Sequence, residues 1–159
     1  MSWDGPRMTK AKAVPEGFGT VTPFLNVKGA GDAIEFYKKA FGVEERSRLK
    51  MPDGTVAHAE LQLGSSKIMM AEASRDAPTK ASLHLYVEDC DALWARATAA
   101  GCKIEMPISD MFWGDRYGVL SDPYGNRWAI ATHKEDMSSE EMQKRGIEAM
   151  KTMPMPKSS

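Results

Sequence analysis

The chain has 159 residues, 42% of them hydrophobic and 27% charged, with a formal net charge of −1. That length suits one compact domain or two small repeated modules, and the charge supplies no general attraction to nucleic acid or to an anionic membrane. No apolar run approaches the roughly 20 residues of a membrane helix, and Arg7, Lys10 and Lys12 precede no apolar stretch of the kind a signal peptide needs. Cys90 and Cys102 are too few for a disulfide framework and read as reduced thiols, so a cytoplasmic protein is expected.

Residues 1–19 mix Pro6, Pro15, Gly17 and Gly19 with polar groups and read as a loosely held arm. A strand is expected over 20–27, where Val21, Leu25 and Val27 alternate with Thr22, Phe24 and Asn26. Pro23 cannot donate to a ladder, which places this strand at a sheet edge. A helix follows over 30–41: Ile34, Tyr37 and Phe41 form one apolar stripe, and Gly42 stops it. Three strands come next, over 44–50, 56–63 and 67–72, separated by the turn residues Pro52-Asp53-Gly54 and Gly64-Ser65-Ser66. In the middle one, Ala57, Ala59, Leu61 and Leu63 alternate with Val56, His58, Glu60 and Gln62.

The same order then recurs. A strand is expected over 82–87, with Leu83, Leu85 and Val87 on one face and Ser82, His84 and Tyr86 on the other. A helix over 91–100 ends at Gly101, a strand covers 102–108, and a hairpin from Phe112 to Thr132 supplies the last two. The hairpin turns at Asp122-Pro123-Tyr124-Gly125-Asn126, where proline presets φ and Gly125 can supply a positive one. Val27 matches Val87 at an offset of 60, and Asp32-Ala33-Ile34 matches Asp91-Ala92-Leu93 at 59, as does Gly42 with Gly101. Repetition of a strand, a helix start and a helix stop at nearly one offset marks a duplicated unit. The expected organisation is an arm (1–19), a first βαβββ module (20–80), a second (81–133) and a tail (134–159). A short helix over 136–150, capped by Ser138 with Glu141, opens the tail, and disorder is expected from Thr152 onward.

Paired βαβββ modules, the segment Phe112-Trp113-Gly114-Asp115-Arg116-Tyr117-Gly118 and the Asp-Pro-x-Gly-Asn-x-Trp hairpin resemble one family. It is the glyoxalase/bleomycin-resistance/extradiol-dioxygenase group, the vicinal oxygen chelate superfamily, in its PhnB-like branch. The resemblance covers about residues 21–133. It implies an α+β fold of curled mixed sheets with helices on the convex side and a concave cavity within, often in a homodimer. The alternation agrees on its own terms: a helix needs an apolar surface, so the faces bearing Leu25, Leu61, Leu85 and Ile130 should lie beneath helices. The polar faces, with Thr22, Phe24, Asn26, His58, Glu60, Gln62, Ser82, His84 and Tyr86, then line the cavity.

The resemblance also bears on metals. Metal-dependent relatives place ligands on the first and fourth strand of each module, positions that superpose on Thr22, Met70, Ser82 and Ala129. A hydroxyl, a thioether or a methyl group makes a poor ligand set for zinc, nickel or iron, so no cofactor and no metal site are expected. His58, Glu60 and His84 carry metal-capable atoms and keep a displaced site open, although pairing of His58 with Glu60 across a wet sheet face and a hydrogen bond from His84 to a neighbour explain them more simply. Trp113 and Arg116 read either as a recognition pair at the cavity mouth or as a brace in which Asp115 pairs with Arg116. Trp128 reads as core and Trp94 as core or dimer contact, while His133 is expected to face solvent.

Two functions follow. The first is a metal-free protein that binds a small organic molecule through Phe24, Asn26, His58, Glu60, Met70, His84, Tyr86, Trp113 and Arg116. The second is a lyase, isomerase or dioxygenase using a divalent metal held by a shifted ligand set or a metal-free acid/base pair. A small-molecule ligand and a second copy of the chain are the expected partners, with no role for nucleic acid or membrane.

Overall fold

A computed structural model describes residues 11–74 and 77–152. Residues 11–23 carry no helix or strand; the start of the expected arm and the tail from residue 153 lie outside the described residues. The chain is α+β and divides into two units, residues 1–38 with 42–78 and residues 39–41 with 79–159. Among the described residues no helix is long and apolar enough to cross a membrane.

The first unit contains β1 (Phe24–Val27), α1 (Ala30–Phe41) except for its last three residues, β2 (Glu44–Lys50), β3 (Val56–Leu63) and β4 (Ser66–Glu72). Its sheet has the order β1-β4-β3-β2, with β1 parallel to β4 and the other pairs antiparallel. β1 is an edge strand, as Pro23 requires, and it starts at Phe24, four residues later than the sequence suggests. Pro23 still takes part through its carbonyl, which accepts from the Met69 N–H at 2.9 Å.

Register sorts the side chains onto two faces. Leu25, Met70 and Ala59 align across β1, β4 and β3, and so do Leu61 and Ile68; all five are buried. This face carries the start of α1, because Glu72 at the end of β4 accepts hydrogen bonds from the N–H groups of Gly29 and Ala30 at 2.8 and 3.1 Å. A carboxylate there satisfies orphan helix donors and complements the helix dipole. Phe24, Asn26, His58, Glu60 and Met69 occupy the opposite face.

The second unit repeats the plan with β5 (Ser82–Tyr86), α2 (Cys90–Ala100), β6 (Lys103–Asp110), β7 (Asp115–Ser121) and β8 (Arg127–His133), in the order β5-β8-β7-β6. The helix-start device recurs in a different residue: Thr132 Oγ1 accepts from the Cys90 N–H at 3.0 Å. α2 lies over the face bearing Gly118, Leu120, Trp128 and Ile130. A Cβ at Gly118 would come within 2.6 Å of the Trp94 ring of α2, so glycine is what lets helix and strand approach. Trp128, Leu120 and Ile130 are fully buried, and the Phe41 ring stacks on Trp128 at 4.3 Å. The apolar faces of both sheets therefore carry the helices, as alternation implied.

The β7–β8 turn is organised by Asp122. Its Oδ1 accepts from the N–H groups of Tyr124 and Asn126 at 2.7 and 3.0 Å, and its Oδ2 accepts from Trp128 Nε1 at 2.8 Å. Asn126 is fully buried, and its Oδ1 accepts from the Ala81 N–H at 2.9 Å, tying the turn to the entry of β5. Gly125 has φ +90°. Gly125→Val is therefore expected to destabilise the fold by about 1 kcal/mol or more. A melting temperature equal to that of the wild type would contradict this geometry.

After β8 the chain crosses the start of β7 and enters α3 (Ser139–Thr152). Ser138 caps this helix, its Oγ accepting from the Glu141 N–H at 3.1 Å. Arg145 then grips Glu135 through two 2.9 Å bonds, and Gly146 packs against the Phe112 ring.

Candidate functional site

Alternation along β5, β7 and β8 leaves one face of the second sheet free of α2. His84 pairs with Ala129, Tyr86 and Tyr117 with Ala131, and Asp115 with His133. Alanines on the central strand leave room above them, so the flanking aromatic rings converge. His84 lies 4.8 Å from Tyr86 and 5.5 Å from Tyr117, and Tyr117 lies 5.4 Å from Trp113 in an edge-to-face contact. Separations and tilts of this kind suit the ring quadrupoles.

Asp115 holds this group in place. It is 3% exposed. Its Oδ2 accepts from Tyr86 Oη at 2.9 Å and from Trp113 Nε1 at 3.1 Å, while its Oδ1 accepts from His133 Nδ1 at 2.7 Å. His133 Nε2 stands 2.7 Å from Asp136. An imidazole can donate from both nitrogens only when protonated, so two facing carboxylates favour the imidazolium form of His133.

The protonation states follow from these contacts. Burial pushes the Asp115 carboxyl up, but the hydrogen bonds from His133, Tyr86 and Trp113 outweigh it and leave it below the ordinary value. The hydrogen bonds to Asp115 and then to Asp136 raise His133 above 6.5. The bond to Asp115, reinforced by burial, raises the Tyr86 phenol, which stays protonated. Stability from His133 is therefore fully present below its unfolded value and fades as pH rises through the folded one; stability from Asp115 fades as pH falls through its depressed value. His133→Gln should thus lose more stability relative to wild type at pH 6 than at pH 9. Urea unfolding at the two pH values checks this, and a gap that widens with pH would contradict it.

Two open grooves flank the cluster. One of about 350 Å³ is lined by Tyr86, Val87, Glu88, Thr132 and His133. The other, of about 560 Å³, is lined by Asp110, Met111, Gly114, Asp115, Lys134 and Glu135.

The structure brings His84, Tyr86 and Trp113 together in the second unit, and it sets Phe24, Asn26, His58 and Glu60 on one face of the first. Phe24 lies 5.8 Å from the His58 ring, and Glu60 is held by Lys67 at 3.2 Å. Two expected site residues fall elsewhere. Met70 aligns with Leu25 and Ala59 and is fully buried on the helix side; Met69 takes the open position. Arg116 aligns with Thr132 on the α2 side, where Asp91 at 3.0 Å and Asp110 at 3.3 Å hold it. It braces the fold without Asp115, whose partners are His133, Tyr86 and Trp113.

His133, expected in solvent, is half exposed and is the counter-ion of the site. Asp136 and Tyr117 also belong to the cluster. The hairpin contained the signal: equal steps outward from Tyr124 bring Asp115 opposite His133. Among the described residues no group of three or more His, Cys, Asp or Glu side chains is placed to hold a metal ion. Both cysteines are free and buried, and burial pushes the Cys102 thiol up to about 11, which leaves it unreactive.

Residues 17–130 match the model of the Glyoxalase/Bleomycin resistance protein/Dioxygenase superfamily. The chain belongs to this superfamily. An uncharacterized protein of Mycobacterium tuberculosis is 32% identical over 90% of this chain and 95% of its own length. YjdN of Escherichia coli is 27% identical over 72% of this chain and 96% of YjdN. Among solved structures, TioX from Micromonospora sp. ML1 superposes with a TM-score of 0.62 at 25% identity, covering 76% of this chain and all of TioX (100%). The PhnB protein from Bacillus cereus gives 0.59 at 26%, covering 72% of this chain and 99% of its own. The superfamily's two-module fold is thus the fold of this chain, and PhnB-like proteins are among its structural neighbours.

Proposed function

We propose that this superfamily member is a cytoplasmic homodimer that binds a small planar or amphipathic organic molecule, without a metal ion, against the aromatic face of its second unit. The reading rests on one observation: buried Asp115 turns the polar edges of Tyr86 and Trp113 inward, so that with His84 and Tyr117 they form a preorganised platform beside two open grooves. Rings locked by a shared acceptor lose little entropy when a ligand stacks on them.

The same contacts weigh against acid/base chemistry at this site. Both ring nitrogens of His133 are already engaged by carboxylates, which leaves neither free to take a proton from a ligand. In the first unit, Glu60 is engaged by Lys67, which counts against its use as a metal ligand. The superfamily's description spans glyoxalases, dioxygenases and a resistance protein, and the site favours the binding member of that set.

A thermal-shift screen of small aromatic compounds, followed by calorimetric titration of the hits, tests the proposal. Trp113→Ala should weaken those hits about tenfold or more, equivalent to roughly 1.4 kcal/mol. Hits that bind the variant and the wild type equally would refute it.

A further inference from the structure

The platform, taken as the ligand site, also discriminates by charge. The hydrogens of the Tyr86 phenol and the Trp113 indole are both directed at Asp115, at 2.9 and 3.1 Å. Neither remains to donate to a carbonyl or carboxylate of a ligand. What these rings offer is π surface, and a ring whose O–H or N–H is bonded to an ionised carboxylate is richer in electrons on its face. Such a face attracts cations more strongly than a ring whose donor meets water.

The surrounding charges point the same way. Asp115 and Asp136 both face His133, which can offset at most one of their two charges. The smaller groove adds Glu88, and the larger adds Asp110 and Glu135 against Lys134. Among the described residues, Arg116 faces both Asp91 and Asp110 and Arg145 faces both Glu135 and Glu141, so each guanidinium is outnumbered and each group keeps one net negative charge. Electron-rich rings in a net negative field, with His133 held in place by its two carboxylates, match a flat molecule that carries positive charge.

We propose that the aromatic face built on Asp115 selects planar organic cations, such as fused rings bearing a quaternary nitrogen, over neutral rings of the same shape. A matched pair of probes separates the charge from the shape: 10-methylacridinium and acridine, titrated against the full chain at pH 7.5 with their fluorescence as the readout. The cation should bind about tenfold more tightly. Tyr86→Phe, which keeps the ring and removes its bond to Asp115, should narrow that ratio to about threefold, and Trp113→Ala should weaken both probes.

Equal affinity for the two probes, or tighter binding of acridine, would overturn the preference for cations and leave the platform standing. Cation binding that survives both Tyr86→Leu and Trp113→Ala unchanged would also overturn it, since the charge would then be read elsewhere on the surface. Failure of both probes to bind would remove the platform reading and the cation preference together.

Discussion

Gly114→Val is expected to remove about 3 kcal/mol of stability and to disable the candidate site with it. Gly114 has φ +96°, a conformation that costs a β-branched residue on the order of 1–3 kcal/mol. Its added Cβ would also sit 2.4 Å from the Glu135 carbonyl oxygen, a backbone atom that cannot swing aside. Overpacking of this kind adds roughly 1–3 kcal/mol. The Gly114 carbonyl accepts from the N–H groups of Lys134 and Glu135 at 2.8 and 3.0 Å, so a shift here moves the segment that brings Asp136 to His133. Gly114 also lies between Trp113 and Asp115, and its backbone lets the indole fold back onto the carboxylate. For a chain of this length the loss corresponds to a fall of about 10 °C in melting temperature. A fall under about 2 °C would mean that the chain does not cross β7 at this point.

Asp115→Ala is the second large effect, at about 2–4 kcal/mol. The substitution leaves Tyr86 Oη, Trp113 Nε1 and His133 Nδ1 without their shared acceptor, and unpaired donors cost on the order of 1–3 kcal/mol each when buried. The total stays below their sum because Tyr86 and His133 can turn to water. Asp115→Asn keeps an acceptor oxygen but no charge and should cost less. Both variants should lower the pKa of His133, which NMR titration of the ring protons would follow. An unchanged His133 titration in Asp115→Asn would show that the carboxylate does not hold the imidazolium.

Much of the fold was legible because local rules agreed with one another. The helix over 30–41 and the strand over 56–63 match α1 and β3 residue for residue, since Gly42 stops the helix and turn residues bracket the strand. Period-two alternation also picked the helix-bearing faces, because an amphipathic strand has only one apolar side to offer. The site was harder to read, because register and pairing between distant segments decide which side chains meet. Met69 and Met70 are adjacent on one strand, and a slip of one residue exchanges which of them faces the helix. Arg116 cannot share a face with its neighbour Asp115 on a strand, so it meets α2 and Asp91 instead. His133 looked like a strand-end residue in water because its two carboxylate partners come from β7 and from the segment before α3. Only pairing across the hairpin makes the first of them visible.

The most direct test of the central claim, that Asp115 and its ring partners form the binding face, is a heteronuclear NMR titration with the strongest hit of the aromatic compound screen. The Trp113 indole N–H and the Tyr86 and His84 ring signals should shift together along one binding curve, while the Trp128 indole, buried against Asp122, stays still. Shifts confined to Phe24 and His58 of the first unit, with Trp113 and Tyr86 unmoved, would contradict the account.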